Sequence, residues 1–393
     1  MKGRVVFLIE LKPGAEQQFL TAYERIRHEV AEGVPGHLAD QVCRLRDGDS
    51  TWLITSEWER LDRFIEWERS AAHRELAAPQ RACIASARSL KFDVVAETVN
   101  PHPERTHHMQ RAHINGVELE YELAGSGDPV ILLHGGLLAD ENTPLVREPA
   151  LTDRYRVLNY HRRGFAGSTI GPEPASIADQ AADALGLMRH VGFESAHVVG
   201  HSLGGAIALQ LALDAPQAVR SLVLLEPALM GAIARAGAAA RPEAAASQQA
   251  FKANMEEVWK VSRSGDKRAA LLLFLRSRAG QAFSGVLEYL EASGEFDQAV
   301  ADADTFLHVE MPAALRWGFT PEQAGRIEQP VLSVLGSHSP ERPQHVHRVL
   351  SEWVPQTELL TLANAEHALP MMNPPELAAA LADYFDRHAL VRA

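Results

Sequence analysis

The chain is predicted to be an α/β protein: a doubly wound, mostly parallel sheet with a helical insertion, preceded by a smaller α+β unit. Three observations carry that expectation. Short apolar runs centred near residues 132, 158, 198, 223, 333 and 360 read as buried strands, with helical patterns between most of them. A polar stretch with two prolines and no periodicity, residues 99–108, separates them from what comes before. Ahead of that stretch the signals run in a different order, βαββαβ. A chain of 393 residues is also too long for one ordinary core. The expected division is 1–98, a linker 99–108, and 109–393.

In the first unit, the apolar run from Arg4 to Leu11 is broken by Glu10 and Lys12, so it reads as a strand and not a signal peptide. Pro13 to Ala31 follows as an amphipathic helix with Phe19, Leu20, Tyr23 and Ile26 as its apolar positions. Leu38 to Arg46 and Thr51 to Trp58 form a hairpin through Asp47-Gly48-Asp49-Ser50, whose chemistry suits a turn. A helical stretch from Leu61 to about Leu90 and a fourth strand, Lys91 to Glu97, complete a ferredoxin-like order. Along the third strand, Trp52, Ile54, Ser56 and Trp58 alternate onto one face, a core or dimer seam.

Past the linker, Asn115-Gly116 joins Gln110 to Ile114 and Val117 to Ala124 in an opening hairpin. Pro129-Val130-Ile131-Leu132-Leu133 is a buried strand that runs into His134-Gly135-Gly136. Another strand, Val157 to Tyr160, precedes the pair Arg162-Arg163, which reads as a local feature. Ala196-His197-Val198-Val199 then enters Gly200-His201-Ser202-Leu203-Gly204, and a helix-forming run follows. A serine on a strand-to-helix turn flanked by glycines is a nucleophile elbow. The turn is tight enough to admit only small residues around the serine, and the helix N-terminus offers free amides and positive potential. The strand Ser221 to Leu225 ends in Glu226-Pro227. About 228–328 is an alanine-rich, helical insertion with few strand signals. The strand Leu359 to Leu362 leads to Asn364-Ala365-Glu366-His367, and a last helix runs from Pro375 to His388.

Ser202 is thus the candidate nucleophile. His367 is the candidate base, because the order Ser, acid, His places it in a late loop. The chain has 18 histidines, so context and not residue type selects it. A carboxylate closing so apolar a run as Ser221 to Leu225 needs a partner, which makes Glu226 the candidate acid. It could instead cap the helical segment that follows.

Residues from about 109 to 390 resemble the α/β-hydrolase superfamily, the branch of small esterases and cofactor-free haloperoxidases. The resemblance implies an oxyanion hole made by the amides of Gly136 and Leu203, and a helical cap in the insertion. Met230, Trp259, Phe274, Phe283, Tyr289, Phe306 and Trp317 are the candidates to line that cap. It makes the turn Arg163-Gly164-Phe165-Ala166-Gly167-Ser168 a structural loop near the active-site face. The chain departs from the family in one place. The usual Gly-x-x-Asp is Gly336-Ser337-His338-Ser339, so Ser339 stands where the acid belongs. A known alternative puts the acid one strand earlier, at Glu226; Glu341 is second, Asp140 third, and a Ser-His dyad without an acid is the remaining option.

The first hundred or so residues resemble the antibiotic biosynthesis monooxygenase (ABM) family, through the Glu57-Trp58 strand end and the Ala72-His73-Arg74 step. That resemblance implies a dimeric α+β barrel and cofactor-free chemistry on aromatic polyketides. Under it, the Trp52–Trp58 face becomes a flat pocket for a polycyclic substrate, with His73 as a polar contact. The joint expectation is a serine hydrolase cleaving an ester, lactone or thioester in polyketide tailoring, homodimeric through its first unit. The alternative is that the first unit leads as a monooxygenase or cyclase and the second serves as a binding or lid module.

A net charge of -13 argues against a nucleic-acid partner. No run of eighteen apolar residues suggests a membrane span. Cys43 and Cys83 are too few for a disulfide framework or a metal cluster, and the three linker histidines lack a ligand register. The expectation is a small-molecule enzyme of the cytoplasm, with no flavin, haem or metal motif.

Overall fold

Residues 2–44, 51–95, 109–171, 174–229, 242–277 and 283–389 are described by a computed structural model. They fall into two units, Met1–Arg105 and Thr106–Ala393. The expected turn at 47–50, the linker 99–108 with its histidines, and Met230 lie outside the described residues.

The first unit is a four-stranded antiparallel sheet. Its strands are β1 (Gly3–Leu11), β2 (His37–Arg44), β3 (Thr51–Trp58) and β4 (Ile84–Asp93), in the order β2-β3-β1-β4. The alternation expected of β3 is present: Trp52, Ile54, Ser56 and Trp58 are its buried residues. Trp52 packs edge-on against Phe19 of the helix Glu16–Gly33, at 5.7 Å between ring centroids.

One expectation fails here. Helix does not continue to Leu90. Three short helices, Leu61–Glu68, Ala71–Leu76 and Ala78–Ala82, give way to β4 at Ile84. The residues of β4 favour helix by composition and carry no apolar alternation, since most of the strand is exposed. What makes it a strand is its ladder with β1, running from Gly3 opposite Asp93 to Leu11 opposite Ile84.

The second unit has an eight-stranded sheet in the order β12-β11-β10-β9-β7-β8-β6-β5. β5 (Gln110–Ile114) and β6 (Val117–Ala124) are antiparallel. β7 (Asp128–Leu133), β8 (Tyr155–Tyr160), β9 (Ala196–His201), β10 (Val219–Leu225), β11 (Val331–Gly336) and β12 (Thr357–Leu362) pair in parallel. The central strands β7, β9 and β10 are buried along most of their length, as a sheet covered on both faces requires. One face packs on the helices Ile177–His190 and Leu203–Asp214. The other packs on the last helix, Pro374–Arg387.

Between β10 and β11 the described residues form helices joined by short turns and loops, with no strand among them. A third apolar cluster joins Phe251, Met255, Leu290, Phe296 and Phe306 of that insertion to Leu137 and Leu138 beyond β7. No described helix is long and apolar enough to cross a membrane.

Candidate active site

β9 ends at His201 and the next helix starts at Leu203, leaving one residue for the turn. Ser202 makes it with φ 49 and ψ -113, a sparsely populated conformation. The neighbouring glycines are there because the backbones nearly touch. A Cβ on Gly204 would lie 2.2 Å from the Leu133 carbonyl oxygen, and one on Gly200 would lie 2.4 Å from that of Gly204. The Ser202 amide donates to Leu225 O at 2.9 Å, and its carbonyl accepts from Ala228 N at 2.7 Å. Strand β10 thereby holds the strained residue in place.

The His367 Nε2 lies 3.1 Å from Ser202 Oγ, and its Nδ1 lies 2.8 Å from Glu226 Oε2. Glu226, just past the end of β10, also has a positive φ, 44. Its other oxygen accepts from the Gly336 amide at 2.9 Å and from the Ser339 hydroxyl. Burial alone would raise this carboxyl, but His367, Ser339 and Gly336 outweigh it and hold it below the usual range. The serine in the family's acid position thus donates to the carboxylate that lies one strand earlier. Glu341 opens the helix Glu341–Trp353 and is exposed, and Asp140 pairs with His161 at 3.1 Å.

Gly136 and Leu203 both line the cavity that contains Ser202 and His367. A Cβ on Gly136 would lie 2.5 Å from the Phe306 ring and 3.6 Å from Leu203 Cδ2, so the insertion roofs this loop closely. The Gly135 amide is already engaged, donating to Glu141 Oε1.

Two groups around this centre were not anticipated from the sequence. His201 Nδ1 lies 2.7 Å from Glu141 Oε1, and its Nε2 donates to the His367 carbonyl at 2.7 Å. Both ring nitrogens face acceptors, so the imidazolium suits them both. Burial would lower its pKa, but Glu141 and that carbonyl hold it above the usual range. His201 is therefore a positioning residue for the backbone of His367, and the histidine beside the serine was its only sequence signal.

The second group is Arg162, fully buried, which is a long-range tie and not a local feature. Its Nε donates to His134 O at 3.2 Å and its Nη2 to Gly135 O at 2.6 Å, while its guanidinium pairs with Glu310 of the insertion. Glu310 ends a π-helical turn, Thr305–Glu310; such turns are frequent at functional sites.

The cavity measures about 1100 Å³, part of it open to solvent, and its walls are mainly apolar. Phe274 and Phe306 line it, their rings meeting edge-on at 4.8 Å. Trp259, Tyr289 and Trp317 do not. Trp259 Nε1 donates to Leu307 O, and Trp317 stacks on Phe319 and donates to Gln210. The side chain of Phe283 is outside the described residues.

A second cavity, about 860 Å³ and also partly open, lies inside the first unit. Ile54, Ser56 and Trp58 line it, with Trp67 and His73 opposite. Trp52 does not; it belongs to the core against Phe19. His73 Nδ1 lies 2.9 Å from Glu68 O, and burial lowers its pKa.

A family model described as alpha/beta hydrolase fold matches residues 128–374, and one described as antibiotic biosynthesis monooxygenase matches residues 3–79. Among curated proteins, the chain is 41% identical over 100 residues to the "42.8 kDa protein in whiE locus" of Streptomyces coelicolor, 25% of each chain. It is 39% identical over 101 residues to "Polyketide synthase CurD" of Streptomyces cyaneus, 25% of this chain and 27% of that one. The matches thus span about a quarter of these relatives' own length. Among solved structures, a thermophilic esterase from Thermogutta terrifontis superposes with TM-score 0.59 at 21% identity, over 71% of this chain and 100% of that one. At that identity the likeness is one of fold.

Proposed function

The chain belongs to the alpha/beta hydrolase fold family, and from that premise we propose that its second unit is a serine hydrolase cleaving an ester, lactone or thioester. Ser202 Oγ attacks the acyl carbonyl carbon while His367 Nε2 takes its proton. Glu226 fixes the tautomer of His367 and stabilises the imidazolium that forms. The amides of Gly136 and Leu203 donate to the oxyanion, a contribution typically of about 3 kcal/mol per donor. His367 then returns the proton to the leaving group. A water molecule, deprotonated by the same ring, attacks the acyl carbon and frees Ser202. The observation that carries this reading is the continuous chain Ser202 Oγ, His367, Glu226 at 3.1 and 2.8 Å. A fluorophosphonate probe should add one adduct to the folded protein and none to S202A, as read by intact mass. Folded wild-type protein that stays unlabelled would overturn the reading.

We further propose a tailoring role on aromatic polyketide intermediates, with the two units sharing a substrate at high local concentration. Matches to the two Streptomyces relatives support it. So does the aromatic lining of the first unit's cavity. Dimerisation through the first unit fits its uncovered sheet face, where Leu8 is 38% and Phe92 46% exposed. The same cavity favours a second reading, in which the first unit is a cofactor-free monooxygenase or cyclase. Oxygen uptake with a naphthacenone substrate, present in wild type and lost in W58A, would support an oxygenase. Turnover of that substrate without uptake would point to cyclisation.

A further inference from the structure

Arg342 sits in the first turn of the helix Glu341–Trp353 and lines the Ser202 cavity. Its position is costly in three respects. The guanidinium is largely withdrawn from water, and burial alone lowers its pKa to about 10. It lies at the positive end of a 13-residue helix, where a cation is disfavoured. And among the described residues no carboxylate pairs with it; its neighbour is the face of Phe251, with 4.1 Å between guanidinium and ring centroid. Among the described residues of the second unit, Arg162 and Arg220, whose side chains are 1% and 7% exposed, each have a carboxylate partner, Glu310 and Asp128.

The acids around the cavity are otherwise committed or apart. Glu226 bonds His367 and Ser339, and Glu141 bonds His201 and the Gly135 amide. Glu366 also lines the cavity, with its Oε2 buried and without a hydrogen-bond partner, yet it forms no ion pair with Arg342. A half-buried guanidinium with no carboxylate partner among the described residues, facing a cavity, is a group that a ligand's carboxylate would complete.

We propose that Arg342 is a carboxylate subsite of the catalytic cavity, and that the substrate is an acyl ester or thioester bearing a free carboxylate away from the scissile carbonyl. This rests on the hydrolase reading above. The planar guanidinium offers two parallel N–H donors to the two carboxylate oxygens, and its closeness to Phe251 leaves the fork's edge for that bond. The apolar walls, including Phe274, Val346 and Met372, strengthen the pairing by excluding water.

The test compares two esters of equal acyl length, 4-nitrophenyl hydrogen glutarate and 4-nitrophenyl pentanoate, in wild type, R342M and R342K. The ratio of kcat/KM for the charged over the neutral ester should fall about 10- to 100-fold in R342M, mostly through KM. R342K, which keeps the charge without the fork, should recover part of it. R342Q serves as the neutral variant should R342M not fold. An unchanged ratio, with the neutral ester still hydrolysed, overturns the subsite and leaves the hydrolase reading intact. No turnover of either ester by wild type counts against the hydrolase reading, and binding then decides the subsite separately. By calorimetry, S202A should bind monomethyl glutarate at least tenfold more tightly than S202A/R342M. Equal affinities, or no binding to S202A, overturn the proposal.

Discussion

At residue scale, the centre depends on which carboxylate reaches His367. Glu226 lies 2.8 Å from its Nδ1, so E226Q should lower kcat/KM by about three to four orders of magnitude, as loss of a triad acid does. E341Q should change it less than threefold. Steady-state hydrolysis of a neutral ester checks both, and the reverse pattern would move the role to Glu341. The sequence made Ser202 and His367 legible because a nucleophile elbow and a late loop histidine are local patterns. Ser339 was legible only as a gap. Its hydroxyl meets a carboxylate 113 positions away, a proximity set by the parallel pairing of β10 with β11 and by no local signal. Glu141 and His201, 60 positions apart, were hidden for the same reason.

His161 gives a pH dependence. Burial would lower its pKa, but Asp140 and Glu120, at 3.1 and 2.9 Å, raise it from 6.5 to about 9. The folded value exceeds the unfolded one, so its stabilisation is full below pH 6.5 and is lost as pH rises through about 9. Because Asp140 is partly exposed, roughly 2 kcal/mol is a reasonable scale. Urea midpoints from pH 6 to 10 should fall across that window in wild type and much less in H161Q. Equal slopes would exclude His161 as the source.

The elements show where periodicity was a sufficient guide and where it was not. Strands buried on both faces, such as β7 and β9, announce themselves as apolar runs. β4 does not, because its hydrogen-bonded neighbour and not its side chains makes it a strand. In the insertion, helices were legible, but which aromatic rings face the cavity depends on how those helices pack. The π-helical turn Thr305–Glu310 is fastened to the His134–Gly136 loop by the buried Arg162–Glu310 pair. Removing one partner strands the other charge, so E310Q should cost about 3–5 kcal/mol, read as a lower thermal midpoint. A change under 1 kcal/mol would mean that the pair is not what fastens the turn.

For the whole molecule, the chain divides into two units with separate cores and a cavity in each. Removal of residues 1–105 should therefore leave a folded second unit that still reacts with fluorophosphonate at Ser202. Intact mass and circular dichroism check this. If the shortened chain unfolds, the hydrolase core depends on the first unit. Light scattering of both forms would show whether self-association leaves with the deleted segment.

The Phe306 ring overlies Gly136 so closely that even a methyl group there would collide with it. The same turn carries Glu310, whose grip on Arg162 secures the carbonyls of His134 and Gly135. Under the proposed mechanism the roof over Gly136 and the steadiness of the proposed oxyanion donors are geared together: a change that moved that ring aside would also disturb the pair that holds the backbone beside it.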